Sequence, residues 1–122
     1  MSSFGHLSEI VPHQLFAGVL ARAVWSESIT YAYVELEPDA FVPEHGHVNE
    51  QVGVLLTGSL QFRIGDEERE LGPGATWSIP AHVPHEVKTG PEGATLIEVF
   101  SPVRADWGQL ERGEAAAPGW LA

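Results

Sequence analysis

The sequence has no cysteine, which excludes disulfide bonds and thiol catalysis and is typical of a reducing compartment. Basic residues are scarce as well, since 6 Lys and Arg stand against 17 Asp and Glu and give a formal net charge of −11. Such a charge repels nucleic acid backbones and anionic membrane surfaces, so we expect neither as a partner. The sequence also lacks an apolar run long enough to span a membrane and any segment that resembles a transport signal. We therefore expect a cytoplasmic protein.

Turn-forming residues, in contrast, are abundant, because the 122 residues include 13 Gly and 9 Pro. This length fits one domain with a single modest core, and so many turns favour an all-β architecture. We expect residues 1–13 to form a lead-in, with an edge strand near residues 7–11 and with His6 and His13 facing solvent. Residues 14–104 are expected to form the β-barrel and residues 105–122 a C-terminal tail.

Alternation of apolar and polar residues predicts many short strands. They are expected at residues 14–27 (one or two strands broken at Gly18), 29–36, 51–56, 60–64, 68–71, 75–79, 85–88 and 95–100, with turns at residues 57–58, 65–66, 72–74, 80–84 and 90–93. Strands at this spacing indicate a sandwich or barrel. Leu60, Phe62 and Ile64 share one face of their strand, and we expect them to fill the interior of this sandwich or barrel.

The stretch HGHVNEQ, residues 45–51, concentrates side chains that bind metals. Side chains alternate along an extended strand, so His45 and His47 face the same way and Gln51 returns to that face. A turn stiffened by two prolines would deliver a further ligand, His85. This nitrogen-rich set suits a divalent transition metal such as nickel, zinc, manganese or iron, whereas calcium prefers oxygen ligands. The alternative is that the histidines are structural.

Neighbouring side chains leave further alternatives open. A bulge at residues 48–49 would make Glu50 the ligand, whereas a regular strand favours Gln51. His82 is either an acid or base at the barrel mouth or a solvent-exposed turn residue, and we favour the turn. Three aromatic residues either line the cavity or pack in the core, namely Tyr31, Tyr33 and Trp77.

These residues resemble the two motifs of the cupins, G-x5-H-x-H-x3,4-E-x6-G and G-x5-P-x-G-x2-H-x3-N. The matching positions are His45, His47, Gln51 and Gly58 in the first motif and Gly74, Pro80 and His85 in the second. Four residues depart from the motifs: Asp39 and His82 replace glycines, Gln51 a glutamate and Thr89 an asparagine. The resemblance implies a jelly-roll barrel (double-stranded β-helix), a bound metal and a homodimer formed through sheet contacts. A glutamine leaves the ligand set neutral, which keeps more positive charge on the ion and favours Lewis-acid chemistry over tight storage.

The stretch EVFSPVR, residues 98–104, is the second informative segment. Strand alternation places Glu98 and Phe100 on one face, and Arg104 follows after a proline. In the barrel interior the three would flank an anionic ligand, whereas on an edge strand Glu98 and Arg104 would form a salt bridge; the residues alone favour the salt bridge. The segment resembles D-V-F-S-P-x-R of the pectin degradation proteins, small cupins that linearise unsaturated uronate sugars. That resemblance implies catalytic roles for Glu98, Phe100 and Arg104, with a glutamate in place of their aspartate.

Three functions follow as hypotheses. The leading one is a metal-dependent isomerase: the ion acts as a Lewis acid, Glu98 transfers a proton, and Arg104 orients the carboxylate of a small anionic substrate, opening a 4,5-unsaturated uronate to its linear keto form. The first rival is a dioxygenase that acts on a small organic substrate at a non-haem metal. The second is a non-catalytic ligand-binding or sensor cupin. In the tail, Trp107 and Trp120 cover either an apolar patch or a dimer surface.

Overall fold

The computed structural model describes residues 2–109, and this part of the chain consists mostly of antiparallel strands. The strands are β1 (His13–Phe16), β2 (Val19–Trp25), β3 (Thr30–Leu36), β4 (Phe41–His45), β5 (Glu50–Ile64), β6 (Glu67–Leu71), β7 (Thr76–Ile79) and β8 (His85–Ser101). Two short 3₁₀ helices flank them, Leu7–Glu9 and Ala105–Gln109, and neither is long or apolar enough to cross a membrane. The prediction of a single all-β domain is confirmed. Predictions for residues 110–122, including Trp120, lie outside the described residues.

The two longest strands, β5 and β8, run through both layers of the molecule. The second half of β8 lies between β3 and the first half of β5, and β7 pairs with that same half of β5. The first half of β8 lies between β4 and the second half of β5, which also pairs with β6. Since β1 and β2 extend from β3, one continuous sheet folds over into two facing layers. This arrangement is the predicted jelly roll.

Both long strands continue through places where the sequence predicts turns. The prediction of a turn at residues 57–58 is wrong, because β5 continues through these residues, with a shift of pairing register on either side. The turn at residues 90–93 is likewise part of β8. Gly58 has a φ of 83°, and a Cβ atom there would lie 1.9 Å from the carbonyl oxygen of Gly93. Glycine at this position therefore allows the two strands to bend against each other, as at a β-bulge.

Apolar side chains from both layers fill the space between them. Leu60 is 1% exposed and Phe62 is 3% exposed, and Ile64 packs against this core, as predicted. Full burial of one such side chain contributes about 1.5–3 kcal/mol to folding. Tyr33 and Trp77 are also buried, and Trp77 packs on Phe62 with ring centres 5.1 Å apart. The core therefore supports the floor of the cavity described below.

The first residues differ from the sequence prediction. Residues 7–11 do not form an edge strand, because Leu7–Glu9 is a turn of 3₁₀ helix. The ring of His6 caps this turn by accepting a 3.2 Å hydrogen bond from the N–H of Ser8. A local side-chain bond of this kind competes with strand pairing and explains the difference.

His13, at the start of β1, is buried rather than solvent-facing. It is 3% exposed, and its ring centre lies 6.2 Å from those of Trp25 and of Trp107. Trp25 itself remains 44% exposed. The prediction for His13 is therefore wrong, because the 3₁₀ helix Ala105–Gln109 brings Trp107 over it, a contact between residues that no local pattern connects.

Candidate metal centre and adjoining pocket

A cavity of about 200 Å³ lies inside the barrel. Apolar side chains make up much of its wall, and a small set of polar and aromatic residues completes it: His45, Gln51, His85, Glu98, Phe100, Arg104, Asp106 and Trp107. A concave apolar pocket with a few convergent polar groups is the usual form of a small-molecule site. The residues of both predicted segments, 45–51 and 98–104, therefore meet at one cavity.

Three histidines form a cluster at this cavity. His45 is the last residue of β4 and His85 is the first residue of β8, and the two strands pair these residues directly. His47 follows in the loop before β5. One ligand atom from each ring lies within 4.8 Å of the others, so the three histidines form a site that can hold a metal ion.

Each imidazole is oriented by the backbone close to it in sequence. The Nδ1 atoms lie 2.9 Å from a carbonyl oxygen in all three cases, with the pairs His45 and Pro43, His47 and Asn49, and His85 and Val83. A carbonyl oxygen only accepts, so Nδ1 carries the hydrogen and donates it. The neutral ring then has its lone pair on Nε2, which is the form that binds a metal.

Burial favours the neutral form of two of these rings. It lowers the pKa of His47, an effect to which Arg104 adds, and it lowers the pKa of His85 to about 4, where the neighbouring His45 and His47 contribute. Within residues 2–109, the Nε2 atom of His85 is buried and has no hydrogen-bond partner. A buried lone pair without a partner costs free energy, so the cluster fits a bound cation.

The alternation of side chains predicted that His45 and His47 share one strand, and this prediction is wrong. β4 ends at His45, and the chain turns before β5 begins at Glu50. A 2.7 Å hydrogen bond from the N–H of His82 to the carbonyl oxygen of His47 holds this turn. The predicted convergence is correct, but a loop produces it rather than a continuous strand.

The residues that depart from the cupin motifs preserve the local backbone shape. Asp39 and His82, which stand in place of glycines, have φ angles of 57° and 67°, the left-handed region that glycine favours. The side chain of His82 is exposed, in agreement with the turn interpretation. Thr89, in place of the asparagine, is buried and donates from its hydroxyl to the carbonyl oxygens of Glu37 and Ala40, at 2.8 and 3.0 Å. Thr89 thereby fastens β8 to the segment that leads into the histidine cluster.

Gln51 connects the histidine cluster to Glu98. Its Oε1 atom lies 3.0 Å from Nε2 of His47, and its Nε2 donates a 2.6 Å hydrogen bond to Oε1 of Glu98. When His47 is neutral, the first contact brings the lone pairs of Nε2 and Oε1 together, and they repel each other. A cation bound to both atoms would remove this repulsion. Two donor atoms 3.0 Å apart are close enough to contact one ion, so the spacing fits a shared metal. Glu50 is exposed, so Gln51 is the residue that lies at the cluster.

Glu98 faces the cavity from β8. Trp77 on β7 also acts on this carboxyl group. Its indole fits there because its strand partner is Gly53, where a Cβ atom would lie 2.5 Å from the ring. Burial raises the pKa of Glu98 to about 7, against the opposing effects of Gln51, Arg104 and Trp77. A carboxyl group with this pKa both accepts and releases a proton near neutral pH.

Arg104 lies against two aromatic rings at the edge of the cavity. Its guanidinium carbon is 4.8 Å from the ring centres of both Phe100 and Trp107, and Trp107 is only 2% exposed. Its Nε and Nη2 atoms donate to the two carboxylate oxygens of Asp106 at 3.1 and 2.9 Å. Since the ion-pair partner of Arg104 in the described chain is Asp106, the predicted salt bridge with Glu98 is wrong. Trp107 covers the pocket rather than an outer surface.

The sequence pattern does not single out two polar residues at this site. Asp106 follows Arg104 by two positions, and this close spacing of opposite charges is the one sequence feature that could have indicated their ion pair. Asn49 is 3% exposed, and its side-chain amide donates to the carbonyl oxygens of Pro102 and Val103. The first of these partners lies 53 residues away in sequence, so no local pattern points to it. Asn49 ties the histidine loop to the segment that carries Arg104.

This combination of fold and site has a clear place among known proteins. Residues 32–100 match the Cupin domain family, so the chain belongs to the cupins. It is 31% identical over 84 residues to the pectin degradation protein KdgF of Dickeya dadantii (strain 3937), covering 68% of this chain and 76% of that protein. It is 28% identical over 102 residues to the oxalate decarboxylase OxdC of Bacillus subtilis (strain 168), covering 80% of this chain but only 26% of that protein. The solved structure of KdgF from Halomonas sp. has the same fold, with a TM-score of 0.78 at 24% identity over 87% of this chain and 98% of that one.

Proposed function

We propose that this cupin opens an unsaturated uronate, a sugar acid with a double bond between C4 and C5, to its linear keto form with the help of a divalent transition metal. The observation that carries the proposal is the link through Gln51 between the histidine cluster and Glu98, a carboxyl group with a pKa of about 7. Arg104, a cation suited to a sugar acid, lines the same cavity. The similarity to the pectin degradation protein KdgF supports this substrate class.

Glu98 is the group to which we assign proton transfer. In the reaction a proton leaves the hydroxyl group on C1, the bond between C1 and the ring oxygen breaks, and a proton is added at C4. Carbonyl groups form at C1 and C5, so the atoms balance without an oxidant or a reductant. A single carboxyl group near its pKa serves both proton steps. The hydrogen bond from Gln51 to Oε1 fixes the carboxyl group at the wall of the cavity.

Arg104 is the group to which we assign the substrate carboxylate. A guanidinium binds a carboxylate with two parallel hydrogen bonds, and contact with aromatic faces restrains its plane. Phe100 touches both sides of the pocket, because its ring centre lies 5.8 Å from that of His47 and 4.8 Å from the guanidinium carbon of Arg104. Phe100 therefore sets the separation between the proposed metal and the proposed carboxylate position.

His45, His47 and His85, together with Gln51, are the residues that would hold the metal. When bound, the metal would supply a Lewis acid that polarises an oxygen of the substrate. The ligand set accepts nickel, zinc, manganese or iron. Replacing His85 by Ala is expected to lower the metal content of purified protein, whereas replacing the exposed His6 by Ala is expected to leave it unchanged, as elemental analysis would report.

The test of the function is the loss of ultraviolet absorbance from a 4,5-unsaturated galacturonate. We expect metal-loaded protein to exceed the spontaneous rate shown by a heat-killed blank, and a chelator to abolish the excess. No excess with metal demonstrably bound would contradict the isomerase proposal. Oxygen consumption would then be measured, because the dioxygenase alternative predicts it and the isomerase does not.

Two broader expectations stay predictions. The cupin resemblance implies a homodimer, and the absence of cysteine is typical of a cytoplasmic protein. Light scattering on purified protein would give the oligomeric state.

A further inference from the structure

We propose that Asp106 is an internal substitute for the substrate's carboxylate: it occupies the guanidinium of Arg104 in the free protein, and an anionic ligand must displace it. This inference rests on the proposed function only in taking the ligand to carry a carboxylate. It makes Asp106 a residue that sets the affinity and specificity of the pocket.

The arginine side of this contact is held in place. Its backbone N–H donates a 2.8 Å hydrogen bond to the hydroxyl of Thr30, a residue with 0% exposure on β3. Its guanidinium lies 4.8 Å from the ring centres of Phe100 and Trp107, and its side chain is 10% exposed. Arg104 is therefore a preorganised cation at the cavity wall.

The aspartate side is open to exchange. The side chain of Asp106 is 63% exposed and lies on the short 3₁₀ helix Ala105–Gln109, two residues beyond Arg104. An exposed partner in an ion pair contributes little free energy and is screened by salt. A ligand carboxylate that is enclosed by the pocket can therefore take its place.

The geometry of the contact matches the one that a sugar acid would make. Asp106 accepts from Nε and Nη2 of Arg104 through both of its oxygens, at 3.1 and 2.9 Å, which is the two-point pairing of a carboxylate with a guanidinium. Both residues line the cavity that also contains Glu98 and Gln51. A ligand placed against Glu98 would thus meet the same guanidinium that Asp106 now binds.

A purely structural role for Asp106 predicts the opposite sign. If the aspartate served only to hold Arg104 in the correct orientation, its removal would weaken the binding of anionic ligands. If it competes with them, its removal strengthens their binding. A change in pocket shape would also alter the binding of neutral ligands, whereas the structural role and the competing role of Asp106 both leave it unchanged.

The experiment uses D-galacturonate as the anionic probe and D-galactose as its neutral match, with dissociation constants measured by titration calorimetry. We expect Asp106→Asn to bind galacturonate about three- to tenfold more tightly than the unmodified protein, the range expected for one hydrogen-bonded ion pair with an exposed partner. Galactose binding should not change. Asp66→Asn, at the exposed turn between β5 and β6, removes the same charge elsewhere and should have no effect on either sugar.

A double variant tests whether the effect acts through the arginine. In an Arg104→Ala background, Asp106→Asn should give no further gain, whereas a general change of electrostatic potential would persist there. Unchanged or weaker galacturonate binding by a folded Asp106→Asn variant, including no detectable binding, overturns the inference. Tighter binding without turnover of the unsaturated uronate would leave the inference standing and contradict the proposed reaction instead.

Discussion

Gln51 and Glu98 are joined by a 2.6 Å hydrogen bond, although 47 residues separate them in sequence. The amide group of Gln51 also lies 3.0 Å from His47, so one side chain contacts both the histidine cluster and the carboxyl group. A glutamate at position 51 would place a second negative charge beside Glu98 and raise the cost of ionising it. The neutral glutamine therefore allows the carboxyl group to titrate near neutral pH.

The first prediction concerns Glu98 and activity. Glu98→Gln keeps the shape and a hydrogen-bonding group but removes the titrating proton, so the rate with a 4,5-unsaturated uronate should fall about 100- to 10,000-fold. Metal content should stay the same. Glu92→Gln, an exposed residue on the same strand, is the matched control. An unchanged rate would remove Glu98 from the mechanism.

The second prediction concerns stability and pH in the metal-free protein. The pKa of Glu98 is raised to about 7 from 4.5, so the folded state binds the proton more tightly and stability falls as pH rises between about 4.5 and 7. The pKa of His85 is lowered to about 4 from 6.5, so the unfolded state binds that proton more tightly and stability rises with pH between about 4 and 6.5. The two slopes oppose each other over most of this window.

Replacing either Glu98 or His85 should therefore reveal how the other residue makes stability depend on pH. Glu98→Gln should become more stable as pH rises from 4 to 6.5, and His85→Gln should become less stable from 4.5 to 7, each by at most about 1.4 kcal/mol per pH unit. Urea unfolding of chelated protein at several pH values would measure both. Equal profiles for the two variants would contradict the assignment.

The third prediction concerns the bend in β5. Gly58→Ala places a Cβ atom 1.9 Å from the carbonyl oxygen of Gly93 at a φ of 83°, so the chain must shift as well as hold a left-handed alanine. The left-handed conformation alone costs about 1–2 kcal/mol. Gly72→Ala, where nothing lies within 4 Å of the added atom, should change stability little. Chemical denaturation compares the two, and similar losses would mean that the bend does not require glycine.

The fourth prediction concerns His82, which has a φ of 67°. His82→Gly should relieve the cost of the left-handed conformation, for a net gain of up to about 1 kcal/mol after the greater freedom of glycine in the unfolded chain is subtracted. His82→Val should be destabilising, because a branched Cβ fits this region worst. The melting temperature should therefore rank Gly above His and His above Val. Loss of metal in His82→Gly would show that the side chain acts at the site rather than in the turn.

Much of this fold was predictable because it depends on local patterns. The alternation in β3 and the Pro-flanked turn before His85 identify the strand and the position of the histidine. The sequence did not predict that β5 continues through Gly58, because a glycine between apolar runs equally suits a turn. Pairing with residues near Gly93 decides between a turn and a bent strand. Pairing partners so distant in sequence leave no mark within a short window.

The site shows the same division. The spacing of His45, His47, Gln51 and His85 predicted that these side chains converge, and they lie together in the structure. The face shared by Glu98 and Phe100 followed from strand alternation. The partner of Arg104 was predicted wrongly, because Glu98 and Asp106 are both near it in sequence and only the path of the chain after β8 chooses between them. The role of Asn49 depends on residues 53 and 54 positions away and is visible only in the folded chain.

The passage of β5 and β8 through both layers has a consequence for how the protein folds. Residue 85 begins β8 and residue 98 lies near its end, yet both line one cavity, so no fragment with only one layer contains the complete site. The donor groups come together only after pairings between distant segments have formed, which are slow to close. An ion or ligand that needs all of them therefore binds after the folding barrier has been crossed. Such a ligand should slow unfolding while leaving the folding rate almost unchanged.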